Sequence, residues 1–80
     1  MTVTTVLSPL PGIFYRKSAP DQPPYKNEGD AVAPGDTLGL IEVMKTFTPV
    51  VAEITGTLRR FLIENEDEVM AGQPLYEIEA

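Results

Sequence analysis

The feature that most constrains this 80-residue chain is that it contains the same half twice. Residues 28–43, EGDAVAPGDTLGLIEV, lie over residues 65–80, NEDEVMAGQPLYEIEA, with six identities in sixteen positions. They are Asp30 with Asp67, Val32 with Val69, Gly35 with Gly72, Leu38 with Leu75, Ile41 with Ile78 and Glu42 with Glu79, always at an offset of 37. Upstream, Ser8–Phe14 lies over Ala52–Leu58 at an offset of 44, with Leu10 over Ile54 and Gly12 over Gly56. A duplicated supersecondary unit packs against its own copy, so the pattern predicts a two-fold structure. The two offsets differ by 7, so the first copy holds about seven extra residues between Gly12 and Val32. The Pro-rich stretch Lys17–Pro24 reads as the inserted loop.

The matched residues are those that shape strands and turns. Gly35 and Gly72 suit turn positions with positive φ, and the paired Val, Leu and Ile suit strands. Strands are predicted at Thr2–Leu7, Gly12–Arg16, Asp30–Ala33, Thr37–Val43, Thr46–Val51, Gly56–Leu62, Glu68–Ala71 and Pro74–Glu79. No window carries a 3.6-residue apolar period. The expectation is an all-β domain spanning 1–80, a flattened barrel or sandwich of two four-stranded antiparallel sheets, four strands from each copy. The expected core is Val6, Leu10, Ile13, Val32, Leu38, Ile41, Val50, Ile54, Leu58, Leu62, Val69, Leu75 and Ile78. Pro49 cannot donate to a ladder, so its strand is expected at an edge or bulge.

Composition removes several chemistries. The chain has no Cys and no His, which excludes disulfides, thiol nucleophiles, thiolate metal sites and the usual general base. No catalytic group and no metal site are expected. A net charge of −6 argues against nucleic acid as a partner, and no apolar run is long enough to cross a bilayer as a helix. A cytoplasmic location is expected, and a carrier or binding module fits this inventory better than an enzyme.

The junction of the copies falls at Met44-Lys45, between two strand-like runs. Two residues make a tight hairpin, which favours positive φ and hence Gly, Asn or Asp, not Met or Lys. Residues at a tip that break the local rule point to function. Turn chemistry alone leaves two readings for Lys45, a solvated lysine or a tether. Of the three lysines only Lys45 stands at the duplication boundary, opposite the chain ends, where a tether would project.

Glu42-Val43-Met44-Lys45 resembles the biotin-attachment motif of biotin carrier proteins, commonly Glu-Ala-Met-Lys-Met. Val6-Leu7-Ser8-Pro9, Gly12–Arg16, Ala19-Pro20-Asp21, Gly29–Val32, Gly35–Leu38, Gly56-Thr57-Leu58 and Gly72–Leu75 extend the likeness over nearly the whole chain. They match the carrier subunit of acetyl-CoA carboxylase, a protein of fatty acid biosynthesis. The resemblance implies biotin amide-linked to Lys45 by a biotin protein ligase. It also implies a carboxyl group carried from biotin carboxylase to a carboxyltransferase, with no catalysis by the carrier itself. It casts Met44, Val43, Thr46 and Glu42 as recognition residues, and Lys17, Ser18, Ala19, Pro20 and Asp21 as a thumb-like loop near the cofactor. Val43 replaces the usual Ala, Thr46 the usual Met or Leu, and Lys17 a Thr that touches biotin. Met44 favours biotin over lipoate. Two alternatives remain, the carrier domain of another biotin-dependent carboxylase or decarboxylase, and an unmodified interaction module. Glu42 has a counterpart in Glu79, so a structural role competes with a recognition role. The cluster Glu64, Glu66, Asp67 and Glu68 is expected to be a solvated face.

Overall fold

A computed structural model describes residues 2–80 of the chain. Eight strands follow in order: β1 (Val3–Leu7), β2 (Gly12–Tyr15), β3 (Ala31–Val32), β4 (Thr37–Val43), β5 (Thr46–Val51), β6 (Gly56–Phe61), β7 (Glu68–Val69) and β8 (Pro74–Glu79). β4, β5 and β8 have the predicted bounds; the other five are shorter by one or two residues. No helix among the described residues is long and apolar enough to cross a membrane.

The strands form two four-stranded sheets, ordered β1-β8-β6-β3 and β5-β4-β2-β7, and every pairing is antiparallel. Replacing each strand by its counterpart four places along the chain turns one order into the other, so the duplication is a structural two-fold. The loops repeat it bond for bond. Asn27 N donates to Asp30 Oδ2 at 2.8 Å, and Glu64 N to Asp67 Oδ2 at 3.0 Å. Ala33 N donates to Asp36 Oδ2 at 2.9 Å, and Met70 N to Gln73 Oε1 at 3.0 Å. Each pair is separated by 37 residues. A short polar side chain that accepts a hydrogen bond from the third residue back closes these turns without using the sheet's own groups. Gly35 and Gly72 have φ of 93° and 83°, as their turn positions require.

The core contains Phe14, Val32, Leu38, Ile41, Val50, Ala52, Leu58, Val69, Leu75, Tyr76 and Ile78. Five expected members are not buried: Val6, Leu10 and Ile54 are half-buried and pack against the core from its margin, Leu62 is 36% exposed, and Ile13 is half-buried on the outward side of β2. Phe14 takes the inward place, so strand parity was off by one there, where the run Ile13-Phe14-Tyr15 shows no polar alternation. Tyr76 and Ala52 were not foreseen. Tyr76 stands where the first copy has Gly39, and Gly39 leaves room for the Phe14 ring, whose Cε1 lies 2.6 Å from where a Cβ would sit. Pro49 lies in β5, an edge strand as expected.

Candidate functional site: the hairpin between the copies

β4 and β5 are in register from Ile41↔Thr48 to Val43↔Thr46, which leaves Met44 and Lys45 as a two-residue turn. Their φ values are 49° and 66°, the pair of left-handed conformations that matches the right-handed strand twist. For residues with a Cβ this conformation costs about 1–2 kcal/mol each. Neither side chain repays the cost by packing: Met44 is 93% exposed and Lys45 is also exposed. The two-fold mate of this turn is the gap between the chain ends, where Thr2 N donates to Ala80 O at 3.0 Å and Ala80 N to Thr2 O at 2.9 Å. The turn and the termini therefore occupy equivalent, separate corners.

The residues around the turn have different surroundings. Val43 is half-buried and packs against the core. Thr46 is exposed. Glu42 faces outward and accepts a hydrogen bond from Tyr15 Oη at 3.0 Å. That bond, then burial, then the Glu42 and Glu66 charges, hold the Tyr15 phenol above the ordinary tyrosine pKa. Tyr15 also packs on Phe47, with ring centroids 6.2 Å apart.

The inserted loop is closed at its base by the bridge Lys17↔Pro24 and by Tyr25 N donating to Arg16 O at 2.9 Å. Arg16 pins that base to the second copy. Its amide donates to Asn65 Oδ1 at 2.8 Å, its Nη2 to Ile63 O at 2.7 Å, and its guanidinium lies 3.9 Å over the Phe61 ring. Between loop and sheet runs a groove of about 440 Å³. Lys17, Ser18, Ala19 and Pro20 form one side; Tyr15 and Phe47 line it from the sheet, with Asn65 and Glu66 from the loop after β6. Asp21 is exposed and does not line it. Met44, Lys45 and Thr46 do not line it, whereas Phe47, two residues after Lys45, does.

Sequence reasoning missed Tyr15, Phe47, Arg16 and Asn65. Parity counted from Phe14 and Ile41 would have placed Tyr15, Glu42 and Phe47 on one outward face. Nothing in the local pattern announces Arg16 and Asn65. The acidic cluster is also more than a solvated face. Asp67 closes a turn, Glu64 reaches Arg16 at 4.0 Å, and Glu66 lines the groove.

The chain has six Lys and Arg residues. Arg16, Lys26, Arg59 and Arg60 have carboxylates within ion-pair distance. Among the described residues Lys17 and Lys45 have none. No group of three or more His, Cys, Asp or Glu among them could hold a metal.

Residues 4–78 match the family described as biotin-requiring enzyme. The chain belongs to this family. It is 42% identical over 73 residues to the biotin carboxyl carrier protein of acetyl-CoA carboxylase of Streptococcus pyogenes, covering 91% of this chain and 44% of that protein. The corresponding Pseudomonas aeruginosa protein is 38% identical over 73 residues, covering 91% and 47%. The chain thus spans less than half the length of these relatives. Among solved structures, urea carboxylase of Kluyveromyces lactis superposes with a TM-score of 0.79 at 30% identity, covering 99% of this chain and 6% of that one.

Proposed function

We propose that this chain is the biotin-carrying domain of a biotin-dependent carboxylase, with Lys45 as the attachment residue. The observation that carries the reading is the placement of Lys45 in a family member: exposed, without a carboxylate partner, on a turn held at a conformational cost. The residues suit such a group, because an amide tether needs a projecting amine and clear space around it. The Lys45 amine, once deprotonated, would attack the carbonyl of activated biotin; the new C–N bond would replace the bond to the activating group, the displaced proton would pass to solvent, and the resulting amide would be uncharged. Bound biotin supplies a ureido nitrogen that accepts and releases a carboxyl group.

The chain's own part is presentation. The rigid β4–β5 register fixes where the arm starts, and tethering replaces a diffusional encounter by a high local concentration at each partner site. Met44 offers an exposed, adaptable apolar contact to the ligase and to the carboxylase and carboxyltransferase. Val43 acts through packing and Glu42 through Tyr15, so their part in recognition is indirect. The relatives are named for acetyl-CoA carboxylase, which favours acetyl-CoA as acceptor and, through it, fatty acid biosynthesis as setting. A carrier domain of another biotin-dependent enzyme is the second reading, supported by the likeness to urea carboxylase.

The test is incubation with biotin protein ligase, ATP and biotin, followed by intact-mass measurement. One biotinyl increment is expected on the wild type and none on Lys45→Ala. An unmodified wild type, or an adduct on the variant, refutes the assignment.

A further inference from the structure

Two sheet edges related by the internal two-fold are not equally guarded. β1 ends one sheet and β5 the other, and a groove of about 470 Å³ runs between them. Thr2 exchanges backbone hydrogen bonds with Ala80, and Ser8 bonds to Gly72 and Gln73 on the same side. Successive residues of an antiparallel strand point their N–H and C=O groups to alternate sides. Thr4 and Val6 therefore face β8, while Val3, Thr5 and Leu7 present their backbone groups to the open edge. On β5 the same alternation, anchored by Ala52 on Gly35 and Asp36, turns the backbone of Phe47, Pro49 and Val51 to its own open edge. Pro49, the two-fold mate of Thr5 at the offset of 44, has no N–H and breaks that edge at its middle. β1 has no such guard, since Val3–Leu7 contains neither a charged residue nor a proline.

An open edge is a template for another strand, and a strand set antiparallel to its own copy is self-complementary by symmetry. We propose that β1 is a self-association edge, through which two copies of the chain join Val3–Leu7 to Val3–Leu7 with Thr5 on the two-fold axis. In that register Thr5 meets Thr5, and Val3 meets Leu7 of the second copy, each pair exchanging two hydrogen bonds. The side chains agree with the backbone. Val3 and Leu7 are hydrophobics left 41% and 50% exposed, and the register that pairs their backbones sets each against the other across the joint. Charge does not oppose the approach. Glu77 beside Thr5 and Glu79 beside Val3 are held by Arg59 and Arg60, so the net charge of −6 is carried away from this strand. One short strand buries far less than the roughly 800 Å² per partner of a stable complex, so the dimer is weak and reversible. β1 shares no residue with the junction turn, and the inference stands whether or not Lys45 is the attachment residue.

The experiment follows the 80-residue chain by sedimentation equilibrium and backbone amide spectra. Concentrations run from about 20 μM to 2 mM, a range that covers a Kd of roughly 1 mM or tighter. The average mass should climb toward that of two chains. The amides of Val3, Thr5 and Leu7 should shift with concentration, while those of Phe47 and Val51 stay still. Thr5→Pro removes the N–H on the axis, and the fold already holds a proline at the equivalent place on β5. Its melting temperature should hold while the association constant falls by on the order of tenfold or more, the worth of two hydrogen bonds. Thr5→Lys sets two ammonium groups face to face on the axis and should weaken association as much, which serves if the proline variant does not fold. Pro49→Thr restores the missing donor and should add concentration-dependent shifts at Phe47 and Val51. A chain that stays monomeric at the highest concentration, a dimer undiminished in Thr5→Lys, or wild-type shifts confined to β5 overturns the proposal. A Pro49→Thr chain whose β5 amides do not respond overturns the comparison of edges on which it rests.

Discussion

The two sheets share a backbone plan but differ on their outward faces. On β2, β4 and β5 the outward positions hold Ile13, Tyr15, Leu40, Glu42 and Phe47. Their two-fold mates on β6, β8 and β1 are Thr57, Arg60, Glu77, Glu79 and Val3. One face is largely aromatic and aliphatic, with the Glu42 carboxylate engaged by a phenol and Glu68 of β7 exposed beside Ile13. The other is an ion-pair network, with Arg59 reaching Glu77 at 3.7 Å and Glu79 at 3.4 Å, and Arg60 reaching Glu77 at 2.9 Å. Symmetry therefore belongs to what both halves must do to fold, namely turns, ladders and core. It lapses where only one half has a task. Glu42 and Glu79 make the point in one pair: the same residue serves a phenol in one half and a guanidinium in the other.

The largest effect is expected where the halves differ inside. Gly39→Ala places a Cβ 2.6 Å from Phe14 Cε1 and 2.7 Å from the Tyr15 carbonyl oxygen, and the latter is backbone that cannot swing away. Loss of stability should approach the upper end of roughly 1–3 kcal/mol, seen as an earlier urea midpoint at unchanged m-value. An undiminished midpoint means that Phe14 and Tyr76 can repack, and the internal asymmetry is then softer than the geometry indicates. The next effect has the opposite sign. Replacing Met44-Lys45 by Asn-Gly gives the turn residues that tolerate both positive φ values, and should stabilise by roughly 1–2 kcal/mol while removing the amine proposed for attachment. A melting temperature no higher than wild type shows that the turn is not strained and that its residues are not held there at a cost.

How much of this was readable from the sequence depends on whether the signal is local. The turns and strand ends were legible because Gly35, Gly72 and the paired Val, Leu and Ile positions repeat at a fixed offset. The junction turn was legible because the repeat ends at Val43 and resumes by Thr46. Side-chain direction was harder. Register shifts between Thr37 and Gly39, between Leu58 and Arg60, and between Val6 and Leu7 break the two-residue alternation; the last leaves Leu75 as an extra residue of β8 beside Tyr76, which is why Tyr76 was not foreseen as buried. Ala52 lies outside any strand and shows no alternation. The groove was illegible because Tyr15, Lys17, Phe47 and Asn65 meet only after two halves separated by tens of residues have packed. Its loop side was visible only as an insertion.

Tyr76 offers a smaller effect. Its hydroxyl is buried without a hydrogen-bond partner among Phe14 and Phe61, and burial raises its pKa far above the usual value. Tyr76→Phe removes an unsatisfied polar group while keeping the ring, and should stabilise at neutral pH by about 1 kcal/mol in thermal melts. A destabilised variant would mean that the hydroxyl is satisfied in solution, and that the second half is less dry at this point than the geometry implies.

The smallest effect separates the two outward glutamates. A phenol whose folded pKa lies above its unfolded value binds its proton more tightly in the native state. Its contribution to stability is whole below the unfolded tyrosine value of about 10 and is lost as pH rises through the higher folded value. Tyr15 is raised chiefly by its bond to Glu42, so Glu42→Gln should lessen the loss of stability above that pH, and Tyr15→Phe should abolish its share. Tyr76 titrates in the same direction, so the comparison is made in the Tyr76→Phe background, following urea midpoints from pH 8 to 11. Glu79→Gln, which disturbs only the Arg59 pair, should leave the shape of the profile unchanged. If Glu79→Gln alters the alkaline limb as Glu42→Gln does, the limb reports general charge repulsion in an acidic protein, and the two faces do not differ electrostatically as the phenol–carboxylate bond requires.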